Sequence, residues 1–157
     1  MASVPQVLPT TPEEVEVWLL NNFTTFDALE VALLGNIFAN DGELQFANNP
    51  VIRGLDTIKE NFVHSYAALA YMKHVPRSFD KVENRIWLTT QISYRIKGDP
   101  QNVEITIPAS ALATLVTEGD EAGKMAKFQV FLDNKPILDR IEAVAALQAE
   151  SQSLPRA

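Results

Sequence analysis

The sequence predicts an α+β domain, with helices gathered on one face of an antiparallel sheet. Two observations lead there. Apolar residues recur at helical spacing through the first half of the chain. After Pro76 the period falls to two, in three long alternating stretches divided by Gly-bearing loops. The 157 residues suit one domain, and no internal repeat divides them.

Residues 1–10, with Pro5 and Pro9, read as a flexible leader. Thr11-Pro12-Glu13-Glu14 opens the first helix: Thr11 caps, Pro12 takes the first helical position and Glu14 closes a capping box. Val15, Trp18, Leu19 and Asn22 then fall on one helical stripe. A second apolar helix runs through Leu29, Ala32, Leu33 and Ile37, ended by Gly35 or by Asn40-Asp41-Gly42. A short strand, Glu43 to Phe46, follows, then the turn Asn48-Asn49-Pro50 and the extended Val51-Ile52-Arg53 before Gly54. A third helix covers Leu55 to Tyr71, with Leu55, Ile58, Phe62, Ser65, Tyr66 and Leu69 inward and His64 on the surface.

The strands come next. Ile86 to Ile96 and Val103 to Ala113 alternate, the second with Pro108 inside it, which predicts a bulge or bend. Met125 to Leu132 is the third. A helix-prone stretch, Ile137 to Glu150, completes a single domain over residues 11–150, and residues 151–157 read as a disordered tail. One sheet face covers the helices. The other carries Trp87 and Phe131 and predicts a homodimer interface through the outer sheet face.

Composition excludes several classes. With no Cys there are no disulfides, thiol nucleophiles, iron–sulfur clusters or thiolate zinc sites. The two His, His64 and His74, lack metal-ligand spacing, and no phosphate-binding Gly-rich loop or Gly-x-Ser-x-Gly elbow occurs, so no metal or cofactor is expected. A net charge of −7 argues against nucleic acid and anionic membranes. The whole excess lies in residues 1–52, which hold seven acids and no Lys or Arg. That third reads as a solvated face, with docking of a basic partner as the sharper alternative. No signal-peptide pattern and no apolar run of membrane-spanning length is present, so an intracellular, cytoplasmic protein is expected.

Four segments, in this order, carry a resemblance. They are Ile37-Phe38-Ala39-Asn40-Asp41-Gly42 before a strand, Val51-Ile52-Arg53-Gly54 before Leu55-Asp56-Thr57-Ile58, the long strands, and Phe128-Gln129-Val130-Phe131-Leu132-Asp133 with Pro136 beyond. Over residues 11–140 the chain resembles the nuclear transport factor 2-like superfamily, and within it the SnoaL-like polyketide cyclase group. The resemblance implies a cone, a strongly curved antiparallel sheet wrapped by three N-terminal helices around one apolar pocket. It also implies cofactor-free chemistry such as isomerisation, dehydration or aldol cyclisation, or a non-catalytic adaptor role. An epoxide-hydrolase site is disfavoured, because that subgroup's pocket Arg flanked by acids has no counterpart at Gln129-Val130-Phe131.

Candidate residues follow. His74 enters the sheet where many relatives of that group place a pocket His, and imidazole passes protons near neutrality. Asp133 matches the acid of the family's terminal motif and would serve as a base. Strand parity sets it opposite Leu132, Val130 and Phe128, and Asp133-Asn134-Lys135-Pro136 is itself a good turn. Tyr66 and Tyr94 face inward and offer phenols to a carbonyl or to a protein group. Thr90 and Ser65 would add hydroxyls, and Trp18 and Phe62 would shape the walls, while Asp41 and Arg53 read as structural. The expected function is cofactor-independent isomerisation, cyclisation or dehydration of a hydrophobic polyketide- or terpenoid-type intermediate. The alternative is a non-catalytic small-molecule-binding or adaptor protein of the same fold.

Overall fold

The computed structural model describes residues 6–154. Helix α1 (Pro12–Asp27) starts at its capping box: the Thr11 hydroxyl accepts the Glu14 N–H and the Glu14 carboxylate accepts the Thr11 N–H, both at 3.2 Å. Residues 6–10 have no regular structure yet are anchored, which corrects the expectation of a flexible leader for these positions. Pro9 is fully buried, and a Cβ on Gly123 would lie 2.5 Å from the Val7 carbonyl carbon. The rest of the leader, residues 1–5, and residues 155–157 of the tail lie outside the described residues.

The second helix is a 3-10 segment, Val31–Asn36, reached through Leu29 at φ 55°. Strand β1 (Phe38–Phe46) begins earlier than expected, because Asn40-Asp41-Gly42 is a bulge inside the strand and not a turn before it. Gly42 is required there: a Cβ would stand 2.9 Å from the Ala39 carbonyl oxygen. After β2 (Ile52–Arg53), helix α2 (Leu55–Ala67) stops short of Tyr71. Its continuation is a strand that the sequence pattern did not reveal, β3 (Leu69–Val82). Strands β4 (Arg85–Ile96), β5 (Glu104–Leu115) and β6 (Met125–Phe131) follow, and helix α3 (Lys135–Ser153) extends into the stretch read as disordered tail.

The strands form one open curved sheet in the order β2-β1-β6-β5-β4-β3, antiparallel except for the β1–β6 pair. Pro108 causes no register shift. It pairs with Gln91 on β4, and β6 reaches only as far as Ser110, so Pro108 sits where β5 has a single neighbour. Register shifts fall instead between Leu69 and Tyr71 and between Pro76 and Ser78 on the edge strand β3, and between Thr114 and Leu115 on β5.

Alternation on β4 sends Ile86, Leu88, Ile92, Tyr94 and Ile96 inward, into the same buried cluster as Val15, Trp18, Leu19, Phe23 and Phe26 of α1. Helix α3 joins this core through Ile137 and Val144, and Arg140 Nε ties it to Asp99 of the β4–β5 turn at 2.9 Å. His64 is exposed, as its position opposite the helical stripe predicts. Among the described residues no helix is long and apolar enough to cross a membrane.

Candidate functional site

Between α1, α2 and the inner sheet face lies a cavity of about 70 Å³. Its wall is built from Phe23 and Phe26 of α1, Phe62 of α2, Leu88 and Ile92 of β4, Ala109 and Ala111 of β5, and Phe128 of β6. The polar side chains reaching it are His74, Thr90 and Tyr94, and no Lys, Arg, Asp or Glu lines it. Ala111 stands opposite Leu88 and Ala109 opposite Thr90, and these short side chains leave the space unfilled.

His74 is the group that gives the cavity chemistry. It sits on β3 opposite Ile92, and its ring stacks on Phe23 with centroids 4.8 Å apart and planes at 10°. The Nδ1 atom lies 2.6 Å from Asp27 Oδ1, and both Asp27 oxygens accept the His74 backbone N–H at 3.1 Å. Both side chains are nearly enclosed, 10 % and 12 % exposed. With Nδ1–H donating to the carboxylate, the lone pair of neutral imidazole is on Nε2, which has no protein partner among the described residues. Lys73 Nζ, 3.7 Å from Asp27 Oδ2, adds a cation on the outer side.

Tyr94 lies on the same wall. Burial and then the nearby Asp27 charge push its phenol well above the ordinary range, so it stays protonated and can donate. Tyr66 is raised likewise, by burial first, then by Asp27 and Tyr94, and its buried hydroxyl has no hydrogen-bond partner.

No protein-family model matches the chain, and no curated protein matches its sequence. Solved structures do. A putative SnoaL-like polyketide cyclase from Jannaschia sp. CCS1 matches with TM-score 0.69 and 12 % identity, over 86 % of this chain and 97 % of that one. An NTF2-like protein of unknown function from Burkholderia pseudomallei K96243 matches at 0.66 and 13 %, over 80 % and 95 %. TerC co-crystallised with polyporic acid matches at 0.65 and 16 %, over 81 % and 97 %. The fold is the nuclear transport factor 2-like fold. Identities this low carry the architecture and leave the reaction to the pocket residues.

Within this nuclear transport factor 2-like cone the expected residues separate. His74, Tyr94, Thr90 and Phe62 line the cavity, and Tyr66 packs behind Phe62 with ring centroids 5.0 Å apart. The Thr90 hydroxyl is spent on the backbone, donating to the Val75 carbonyl at 2.9 Å. Asp133 is a correction: it lies past the end of β6, does not line the cavity, and its Oδ1 accepts the Lys135 N–H at 3.0 Å, the turn role its surroundings favour. Ser65 is another, exposed and bonded to the Asn61 carbonyl of its own helix. Trp18 is buried away from the cavity, its indole N–H given to the Gly123 carbonyl at 2.8 Å.

Sequence reasoning missed Asp27. The available signal was an acid as the last residue of a helix, where the macrodipole disfavours negative charge. Among the described residues no group of three or more His, Asp or Glu gathers as a metal site.

Proposed function

We propose that this chain is a cofactor-independent enzyme that moves a proton on a neutral, hydrophobic carbonyl compound of polyketide or terpenoid type. The observation that carries this reading is the 2.6 Å contact of His74 Nδ1 with Asp27 on the wall of an otherwise apolar cavity. Nε2 takes a proton from the carbon next to the carbonyl, and the C–H electron pair shifts onto the carbonyl oxygen. The imidazolium so formed is stabilised by Asp27, and the Tyr94 hydroxyl donates to the developing oxyanion. Return of the proton to a conjugated carbon gives isomerisation. Attack of the enolate carbon on a second carbonyl, with the imidazolium proton passing to the new alkoxide, gives cyclisation, and departure of a β-hydroxyl that takes that proton and leaves as water gives dehydration. Acid–base transfer supplies about 10²–10⁴-fold, and positioning in the cavity supplies the rest.

The likeness to a putative polyketide cyclase and to a protein crystallised with polyporic acid supports this class of substrate. The test is deuterium uptake next to the carbonyl of 2-tetralone in D₂O, followed by NMR. Uptake faster than in buffer is expected, with His74→Ala losing about 10²–10⁴-fold of the acceleration. A His74→Ala protein that exchanges as fast as the parent removes the assignment.

A second reading, a non-catalytic binding protein of the same fold, is favoured by the lining, where among the described residues His74 and Tyr94 are the titratable side chains. Binding of 2-tetralone without any exchange would support it.

We further place a homodimer contact on the outer sheet face and the protein in the cytoplasm. Trp87 and Phe131 support the contact: their rings stack there at 6.3 Å, 44 % and 48 % exposed. Light scattering tests it, with Trp87→Glu expected to halve the mass; a monomeric parent protein removes the contact.

A further inference from the structure

The cavity as it stands is much smaller than the roughly 300 Å³ from which ligand pockets begin, so part of its wall must yield before a guest can enter. Most of the wall cannot. Phe23, Phe26, Leu44, Leu88, Ile92 and Phe128 are each 8 % exposed or less and packed into the helix–sheet core. The exceptions are Phe46, Phe62 and His74, and the His74 side chain is only 10 % exposed and fixed by Asp27. The cavity therefore meets solvent at two phenyl rings, Phe46 at the end of β1 and Phe62 on α2. Phe62 rests on aromatic neighbours, Phe26 at 5.9 Å and Tyr66 at 5.0 Å, and is partly exposed. A χ1 change there breaks no hydrogen bond.

We propose that Phe46 and Phe62 form a two-ring gate over the cavity, drawn in over it in this structure, which swings outward to admit a flat, uncharged ring compound. This rests on the reading of the cavity as a ligand site and adds what controls access to it. The class of guest follows from the walls. Phenyl faces suit a planar conjugated ring. The lining holds no Lys or Arg, so a carboxylate or phosphate would lose its hydration with no compensating cation.

The test uses the whole chain and stopped-flow fluorescence with 2-naphthol, with 2-naphthoate as a charged analogue of the same shape. Because opening precedes binding, association to the parent protein is slow, and Phe62→Ala raises both association and dissociation rates by about tenfold or more. Phe62→Leu, which keeps apolar contact and guards against a folding defect, lies between. The His74 ring signals shift on binding, which locates the probe, and 2-naphthoate binds neither protein. Binding to Phe62→Ala alone also supports the gate, as a gate shut more tightly.

Binding located at His74 with rates unchanged in both variants overturns the gate and leaves the site. Binding of 2-naphthoate as strong as that of 2-naphthol overturns the selection for uncharged guests. Failure of every variant to bind, or binding that leaves His74 unmoved, overturns the ligand-site reading and the gate with it.

Discussion

The Asp27 carboxylate grips His74 twice, through the ring Nδ1 at 2.6 Å and through the backbone N–H at 3.1 Å. Two needs meet in that residue. Strand β3 is the last in the sheet, with no strand beyond it to accept the His74 N–H, and an unpaired, half-buried donor is costly. Asp27 ends α1, where the helix offers its negative end, so the carboxylate is held there against the dipole by the donors of β3. The contact that seals the sheet edge also fixes the imidazole tautomer facing the cavity.

Replacing Asp27 by Asn should separate those roles. The amide oxygen still accepts the backbone N–H, but the ring now meets no anion, and an amide N–H turned toward Nδ1 favours the tautomer protonated at Nε2. Nε2 then has no lone pair for a substrate proton. Asp27→Asn is expected to lose about 10²–10⁴-fold of deuterium exchange and about 1.5–3 kcal/mol of stability. Nitrogen NMR of the ring should show the proton move from Nδ1 to Nε2, and an unchanged tautomer would count against this account.

How much of this was legible in the chain depended on how local each signal was. The Thr11–Glu14 box lies within four residues and the β4 alternation within one strand, so both were readable. Strand β3 was not, because an edge strand tolerates Lys73, Pro76 and Arg77, which break the apolar alternation by which strands are recognised. Asn40-Asp41-Gly42 has turn composition, and only the parallel partner β6 makes it a bulge. In the site, Tyr94 could be placed by its position on an alternating strand, and His74 by the family resemblance. Asp27 could not, since its partner is 47 residues away on the strand that went unseen. The expectation for Asp133 failed where parity and turn chemistry both pointed away from the cavity.

The two buried phenols predict a loss of stability in alkali. Tyr66 and Tyr94 are both raised, by burial first and then by Asp27, so the folded chain keeps protons that the unfolded chain gives up above about pH 10. Stability contributed by the neutral phenols is complete below that pH and lost as pH rises beyond it. The slope should approach about 1.4 kcal/mol per pH unit for each tyrosine. Urea titrations between about pH 9 and 11.5 check this, and Tyr94→Phe should flatten the decline. A decline of the same steepness in Tyr94→Phe would exclude that phenol.

Glu83, in the turn between β3 and β4, has φ 55° and is exposed. A side chain in this left-handed region costs about 1–2 kcal/mol, whereas Gly adopts it freely and loses about 0.5–1 kcal/mol through its looser unfolded state. The Lys81 ammonium bonds the Glu83 carbonyl, which a substitution leaves in place. Glu83→Gly is therefore expected to stabilise the protein by about 0.5–1 kcal/mol, a rise in Tm of about 1–4 °C for a chain of this size. Calorimetry decides it, and a lower Tm would mean that the carboxylate does something the contacts do not reveal.

Helix α3 should loosen in acid before the sheet does. Its Ncap, Asn134, makes no side-chain capping bond, and its buried anchors are Ile137 and Val144. Its charged anchor is Arg140 on Asp99, a carboxylate 1 % exposed that also accepts the Gln101 and Val103 N–H groups, and Gln148 Nε2 adds a neutral bond to the Gly98 carbonyl at 3.2 Å. The Arg140 hydrogen bonds, partly opposed by burial and helped by those two N–H groups, hold Asp99 down to about 2. A depressed carboxyl contributes stability that is present above its unfolded value of about 3.9 and is lost as pH falls toward the folded one. Between about pH 4 and pH 2, amide exchange along Lys135–Ser153 should therefore accelerate ahead of that in β4 and β5. Asp99→Asn should show fast α3 exchange already at neutral pH and little further change in acid. If that variant protects α3 as well as the parent does, apolar packing and neutral hydrogen bonds hold the helix and the ion pair is incidental.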